Sequence, residues 1–249
     1  MPHAELILFF ALIAFIYASV GFGGGSSYLA ILVFYAFPFM ETRLIALVCN
    51  VIVVTGGTLV FIKHKQVDWK KIIPLALAGV IMAFLGARVK LSRESFFILL
   101  GFCLIIASVL LWIKTKAHAS VRKSNSTFLR DAVLGGSIGF LSGMVGIGGG
   151  IFLSPLLNLL QWDHPKKIAA TASVFILANS VAGIAGQLSQ FTPGISYVRV
   201  IILGLAVFIG GQLGSRIGVV KFDQLIVKRV TAVLVFVAGV EVLSKHLHF

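Results

Sequence analysis

The sequence predicts an all-α integral membrane protein made of two inverted-topology repeats, each a glycine-bent helix hairpin followed by three transmembrane helices. Three observations carry this expectation. The chain is 59% hydrophobic and 12% charged over 249 residues, against roughly 25% charge in an ordinary soluble domain. Apolar runs close to the roughly 20 residues that a helix needs to cross the hydrocarbon core recur from end to end, at 44–62, 95–113 and 168–188, with a shorter one at 230–243. A glycine block occurs twice, "GFGGG" at 21–25 and "GIGGG" at 146–150. A β-barrel would show short alternating segments instead.

The elements follow in order. Residues 4–20 read as an apolar helix; the stretch before it lacks a basic n-region, so it reads as a first membrane segment and not a signal peptide. After the first glycine block comes a short apolar piece, 27–37. At 1.5 Å per residue it spans about 15–20 Å, too little for a core about 30 Å thick. The hairpin therefore either crosses tightly or is re-entrant. Three full-length spans complete the unit, and a polar stretch, 114–131, follows. The second unit repeats the plan: a helix at 132–145, the glycine block, a short piece at 151–161 and three spans. Val67-Asp68-Trp69 is answered 128 residues on by Ile195-Ser196-Tyr197, and Gly86-Ala87-Arg88 by Gly214-Ser215-Arg216, while the glycine blocks stand 125 apart. Order and spacing kept together mark a duplication. The expected units are 1–113 and 132–249, joined by the 114–131 linker.

Charge placement orients the chain. The net charge of +13 lies in short loops, with no basic face interleaved with aromatics, so nucleic acid is not the expected partner. With the hairpin parity above, 15 Lys and Arg fall on one side and 6 on the other; counting each opening helix, glycine block and short piece as one crossing makes the split 11 to 10. The uneven split obeys the positive-inside rule. It puts the linker in the cytoplasm and both termini outside.

Transport chemistry is implied by what sits at depth. A glycine-interrupted segment at matching places in two inverted halves points to a transporter site near the midplane. Unwound backbone is tolerated in a membrane only where protein buries it or water reaches it. A helix starting just after such a bend aims free N–H groups and its positive dipole end at that bend, which suits an anion. Close helix packing through small residues is the competing use of the same glycines. Candidate binding residues are Gly23, Gly24, Gly25, Ser26, Ser27 and Asn50 in the first half and Gly148, Gly149, Gly150, Ile151, Ser154, Thr171, Ser173 and Asn179 in the second. Ser173, Ser180 and Gln187 recur every seven residues and share one helix face, expected to turn inward. Interhelical bonding is the alternative for each, as for Gln212. Arg88 and Arg216, which close the repeated triplets, read either as snorkelling anchors or as a gate or anion-attracting pair.

Other chemistries are absent from the pattern. All eight acids (Glu5, Glu41, Asp68, Glu94, Asp131, Asp163, Asp223, Glu241) lie in loops or within about two turns of a span end, which disfavours a carboxylate proton relay. The six histidines are in loops or terminal, and there is no H-E-x-x-H, paired-carboxylate or P-loop pattern, so no enzyme, metal or cofactor is expected. Cys49 and Cys103 sit inside apolar spans as packing residues. The expected partners are a small anionic substrate and membrane lipid, with the oligomeric state open.

On the stretches "GFGGGSSYLAILVF" (21–34), "GFLSGMVGIGGGIFLSPLL" (139–157), "KKIAATASVFILANSVAG" (166–183) and the "GAR"/"GSR" pair, the chain closely resembles the TauE/SafE sulfite exporter family, also called the 4-toluene sulfonate uptake permease family. The first half departs from that family's pattern, with Ala30 where a proline is common and "LVCN" for a "TAS"-like segment. The resemblance implies a bacterial or archaeal inner-membrane carrier of sulfur-containing anions: sulfite, or organosulfonates such as sulfoacetate, taurine-derived sulfonates and aryl sulfonates.

Overall fold

The structure is a computed structural model that describes residues 4–19, 22–112, 127–190, 195–221 and part of 229–244. Gly21, most of the linker and much of the last expected span lie outside the described residues. Nine continuous helices are described: α1 (Ala4–Ala18), α2 (Gly25–Phe34), α3 (Phe39–Lys63), α4 (Trp69–Arg88), α5 (Arg93–Trp112), α6 (Phe128–Val145), α7 (Gly150–Leu159), α8 (Pro165–Leu188) and α9 (Tyr197–Lys221). Among the described residues there is no strand. Six helices, α3 to α6, α8 and α9, are long and apolar enough to cross a membrane, whereas α2 and α7 have only 10 residues each.

The boundaries follow local chemistry. α3 starts after Pro38, and α8 has Pro165 in its first turn, where the missing N–H costs nothing. α6 stops at Gly146, which takes a left-handed φ of 86° as its C-cap. The two short helices begin at Gly25 and Gly150, earlier than the apolar runs alone suggest, because the left-handed turn is made one residue before each.

Close helix pairs are built on glycine, as expected where lipid is as apolar as the side chains and van der Waals contact must hold helices together. A Cβ on Gly135, Gly139 or Gly143 of α6 would overlap the carbonyls of Leu75, Gly79 and Ala83 on α4. Gly210 and Gly214 of α9 lie against Ala11 and Phe15 of α1 in the same way. Each of these two pairs therefore runs parallel. The glycines of the repeated triplets have one use: Gly86 abuts Phe140 on α6, and Gly214 abuts Phe15 on α1. α3 and α8 run antiparallel at the centre, since Gln187, near the end of α8, donates to the Met40 carbonyl at the start of α3, while Thr58 and Ser173 share a hydrogen bond of 2.8 Å further along. The outer faces keep apolar stripes four residues apart, Ile73, Leu77, Ile81 and Leu85 on α4 and Ile201, Leu205, Ile209 and Leu213 on α9, a surface suited to acyl chains.

Candidate functional site

Each glycine bend has a left-handed glycine just before its short helix, and in the second bend the preceding Gly148, at φ 80°, is left-handed as well. Gly24 has φ 81° and Gly149 has φ 83°, and these left-handed N-caps stand 125 residues apart, the offset of the glycine blocks. Their carbonyls close the first turns: Gly24 accepts from Ser27 and Tyr28, and Gly149 from Phe152 and Leu153. That leaves the amides of Gly25 and Ser26 in α2, and of Gly150 and Ile151 in α7, without an intrahelical acceptor at the positive end of each dipole.

The two bends touch. A Cβ on Gly25 would sit 2.8 Å from the carbonyl oxygen of Ile147. Asn50, fully buried on α3, ties them together: its Oδ1 accepts from the Gly25 amide at 2.9 Å, and its Nδ2 donates to the Ile147 carbonyl at 2.8 Å. Around this tie is a cavity of about 10 Å³, lined by Tyr17, Phe22, Gly23, Gly24, Gly25, Ser26, Asn50, Ile147, Gly150, Ile151 and Ile176. Its size admits about one water.

The second bend lacks an amide tie of its own. Whereas Asn50 accepts from the Gly25 amide, no side chain among the described residues accepts from the first-turn amides of α7, and Gly150 packs on Ile176 of α8. Ser180, one turn on, is buried with an unpartnered hydroxyl; a Cβ on Gly148 would lie 2.7 Å from both its Oγ and the Asn50 Nδ2.

Seven of the expected binding residues thus meet at one place: Gly23, Gly24, Gly25, Ser26, Asn50, Gly150 and Ile151. The others are buried but do not line the cavity. The Ser27 hydroxyl bonds Tyr17 at 2.7 Å. Gly148 and Gly149 shape the second bend, packed on Ser180 and Phe175. Thr171 bonds back to the Lys167 carbonyl, Ser173 pairs with Thr58, and Ser154 lies on α7. Asn179 has both amide atoms unpartnered and faces Gly79 of α4. The Ser173, Ser180 and Gln187 face does turn inward, toward α3 and the bends. Arg88, the last residue of α4, and Arg216, inside α9, are both exposed, with the Arg88 guanidinium 5.6 Å from the Phe84 ring.

Charged groups close both ends of the α3/α8 core. Glu41, 1% exposed in the first turn of α3, accepts from Arg199 of α9 at 2.9 Å and from the Ser196 amide. At the far end, Lys71 of α4 donates to Asp163, before α8, at 2.6 Å. Burial raises the Asp163 carboxyl, but the Lys71 hydrogen bond, the His164 amide and the charges of Lys71 and Lys167 outweigh it and hold it below the usual value. Lys71 and Arg199 are each the third residue of their helix and stand 128 residues apart, the offset of the repeated triplets. An open groove of about 380 Å³ lies beside the Lys71 pair, lined by Lys65, Val67, Asp68, Trp69, Lys70 and Lys167.

A family model described as the sulfite exporter TauE/SafE matches residues 6–242. The chain belongs to that family. It is 30% identical over 246 residues, 96% of its length and 97% of the relative's, to "Probable membrane transporter protein y4hK" of Sinorhizobium fredii. It is 29% identical over 210 residues, 75% of its length and 76% of the relative's, to "Probable membrane transporter protein YunE" of Bacillus subtilis. No solved structure matches it. With six candidate spans, this TauE/SafE protein is a multi-pass membrane transporter and not an enzyme.

Sequence reading of this TauE/SafE chain missed two kinds of residue. Tyr17, Phe22, Ile147 and Ile176 line the cavity as apolar residues with no distinguishing pattern. Arg43, counted by its position as a charge on one membrane side, is 1% exposed inside α3; it reaches the Gly143 carbonyl at 2.8 Å and the Ala87 carbonyl at 3.3 Å. Helix C-termini supply those acceptors, and no local sequence signal announces them.

Proposed function

We propose that the protein is a secondary carrier of sulfur-containing oxyanions, sulfite or an organosulfonate such as sulfoacetate, working by alternating access between two inverted repeats, 1–113 and 132–249, about a cytoplasmic 114–131 linker. The observation that carries the reading is the contact of two glycine bends, one from each half, around a single buried cavity with first-turn amides on its wall. The antiparallel course of α3 and α8, and the partner exchange of α1 with α9 and α4 with α6, support the inverted duplication.

The chemistry follows from the amides. A sulfonate head spreads one negative charge over three oxygens, and N–H groups at two converging helix starts would satisfy them without a counter-cation. The bends' amides at Gly23 to Ser27 and Gly148 to Ile151 would supply most donors, helped by Asn50, with Ser154, Thr171, Ser173 and Asn179 further out along the path. A cavity with room for about one water is too small for such a head, so this conformation corresponds to a closed, unloaded state, sealed at its two ends by the Glu41–Arg199 and Lys71–Asp163 pairs. Each pair joins one half to the other. Rocking the halves would break one pair at a time and open the cavity to that side.

The test is uptake of labelled sulfite and sulfoacetate into proteoliposomes, with sulfate and chloride as competitors, under an imposed potential or pH gradient. Saturable uptake inhibited by one sulfur oxyanion supports the carrier. Non-saturating flux of thousands of ions per second would mean an anion channel, and no flux from folded protein would leave the glycines a packing role in a membrane scaffold.

A further inference from the structure

The groove beside the Lys71–Asp163 pair collects cations that no acid answers. Its volume is about 380 Å³, and Lys65, Val67, Asp68, Trp69, Lys70 and Lys167 line it. Lys71 is engaged with Asp163 at 2.6 Å and stands 5.2 Å from the centre of the Trp162 ring. Among the described residues no carboxylate lies within ion-pairing distance of Lys65, Lys70 or Lys167. Asp68 is the one acid of the lining, against three lysines. Local structure sets them there. Lys65 closes α3 with a left-handed φ of 54°, its amide donating to the Ile62 carbonyl and the Gln66 amide to Phe61. Asp68 is the N-cap of α4, and its carbonyl takes the amides of Lys71 and Ile72. The Trp69 and Lys70 amides therefore lack an intrahelical acceptor at the positive end of the dipole. Lys167 comes from the first turn of α8, so two helix starts meet at the groove.

An apolar surface continues from this basic groove. Trp69, 51% exposed, heads the α4 stripe of Ile73, Leu77, Ile81 and Leu85, which recur every four places and are all exposed. From Trp69 to Leu85 the stripe runs about 24 Å along the helix, more than one leaflet's half of a hydrocarbon core about 30 Å thick. Indole rings settle at the headgroup level of a bilayer, which puts the three lysines at the height of lipid phosphates. Solvated loop lysines need neither a groove nor an apolar continuation; here both are present.

We propose that the groove is a binding site for an anionic phospholipid: Lys65, Lys70 and Lys167 hold the headgroup phosphate, Trp69 packs at the glycerol level, and the acyl chains lie along Ile73, Leu77, Ile81 and Leu85. Charge complementarity selects an anion. The stripe selects the lipid, because a free phosphate would engage the lysines and leave the apolar continuation unused. Lys65 and Lys70 flank the start of α4 and Lys167 belongs to α8, so the phosphate ties α4 to α8 beside the Lys71–Asp163 pair and strengthens that end. The site requires only membrane embedding; it goes beyond the carrier reading above and does not rest on it.

Native mass spectrometry of the full chain in detergent tests it, with phosphatidylglycerol and phosphatidylcholine carrying the same acyl chains. The wild type should retain phosphatidylglycerol about tenfold better than phosphatidylcholine. Lys65→Gln/Lys167→Gln should lose that preference. Lys63→Gln/Lys166→Gln, which removes two exposed cations from the same end but outside the lining, should keep it. Hydrogen exchange around 162–168 should slow when phosphatidylglycerol is added to the wild type, and stay unchanged in Lys65→Gln/Lys167→Gln. Equal retention of the two lipids by the wild type would overturn the proposal. So would equal losses in the two double variants, which would mean diffuse surface charge. Glycerol 3-phosphate at matched concentration should not displace the lipid; displacement would make the occupant a soluble anion and sink the lipid assignment. Sulfoacetate uptake tests the carrier separately, and its failure would leave this site standing.

Discussion

The two glycine bends share a left-handed glycine N-cap, but Gly148 before the second is left-handed too, and they differ in what faces them. Gly24 and Gly149 take nearly the same φ, 81° and 83°, and each starts a 10-residue helix. Yet the first bend's leading amide, Gly25, is held by Asn50, whereas the second bend's leading residue, Gly150, packs on Ile176 and its amide has no side-chain acceptor among the described residues. One asparagine serves both bends, because its other end takes the Ile147 carbonyl 97 residues away. The bend is thus a property of glycine and the tie a property of a single side chain, and two similar bends are left with unequal numbers of free donors.

Breaking the shared feature should have the largest effect. Gly149→Leu forces a side chain into a left-handed backbone position, with its Cβ 2.9 Å from the Phe175 ring, at a cost of about 1–3 kcal/mol in backbone strain alone. Uptake into proteoliposomes should vanish while the protein still elutes as a folded species. Gly24→Leu should match it, and wild-type rates from either variant would remove that bend from the site.

Exchanging the unequal features comes next. Asn50→Ile makes the first bend like the second and leaves the Gly25 amide and the Ile147 carbonyl unpaired, about 1–3 kcal/mol for each buried group. A lowered Tm in detergent and a transport rate down about tenfold are expected. The reciprocal Ile176→Asn gives the Gly150 amide an acceptor, so Tm should hold while sulfoacetate KM rises a few-fold. Equal behaviour of the two variants would mean that the asymmetry is incidental.

The end pairs predict smaller, opposite effects. Glu41→Gln loosens the Arg199 end and Lys71→Met the Asp163 end, so hydrogen exchange should quicken around 195–200 in the first and around 162–168 in the second. Acceleration at the same end in both would argue against separate latches. The smallest effect is that of pH. The folded Asp163 carboxyl titrates below its ordinary value of 3.8, so its contribution is fully present above about pH 4 and is lost as pH falls through the lower folded value. Tm measured from pH 6 to pH 3 should fall more steeply for the wild type than for Asp163→Asn.

Much of this arrangement was legible beforehand. The glycine blocks, the short helices behind them and the inward face of Ser173, Ser180 and Gln187 follow from composition and period, which are local properties. Ser154, Thr171 and Asn179 read as site residues because they are polar at depth, yet they are buried away from the cavity: a polar residue satisfied within its own helix, or turned toward another one, looks the same in sequence. Thr171, bonded back to Lys167, is the plain example. Arg43 misled for a related reason: at a span's start a cation reads as a surface charge, and only the helix ends that fold over it make the site habitable.

By itself, then, the sequence determined a membrane-spanning helical chain with two glycine bends, since hydropathy and the left-handed tolerance of glycine act over a few neighbouring residues. Tertiary structure decided which amides are free, where Arg43 points and what seals the two ends. Those depend on contacts between halves, such as Asn50 with Ile147 and Glu41 with Arg199, 158 residues apart. Helix packing brings such partners together, and no local pattern encodes the meeting.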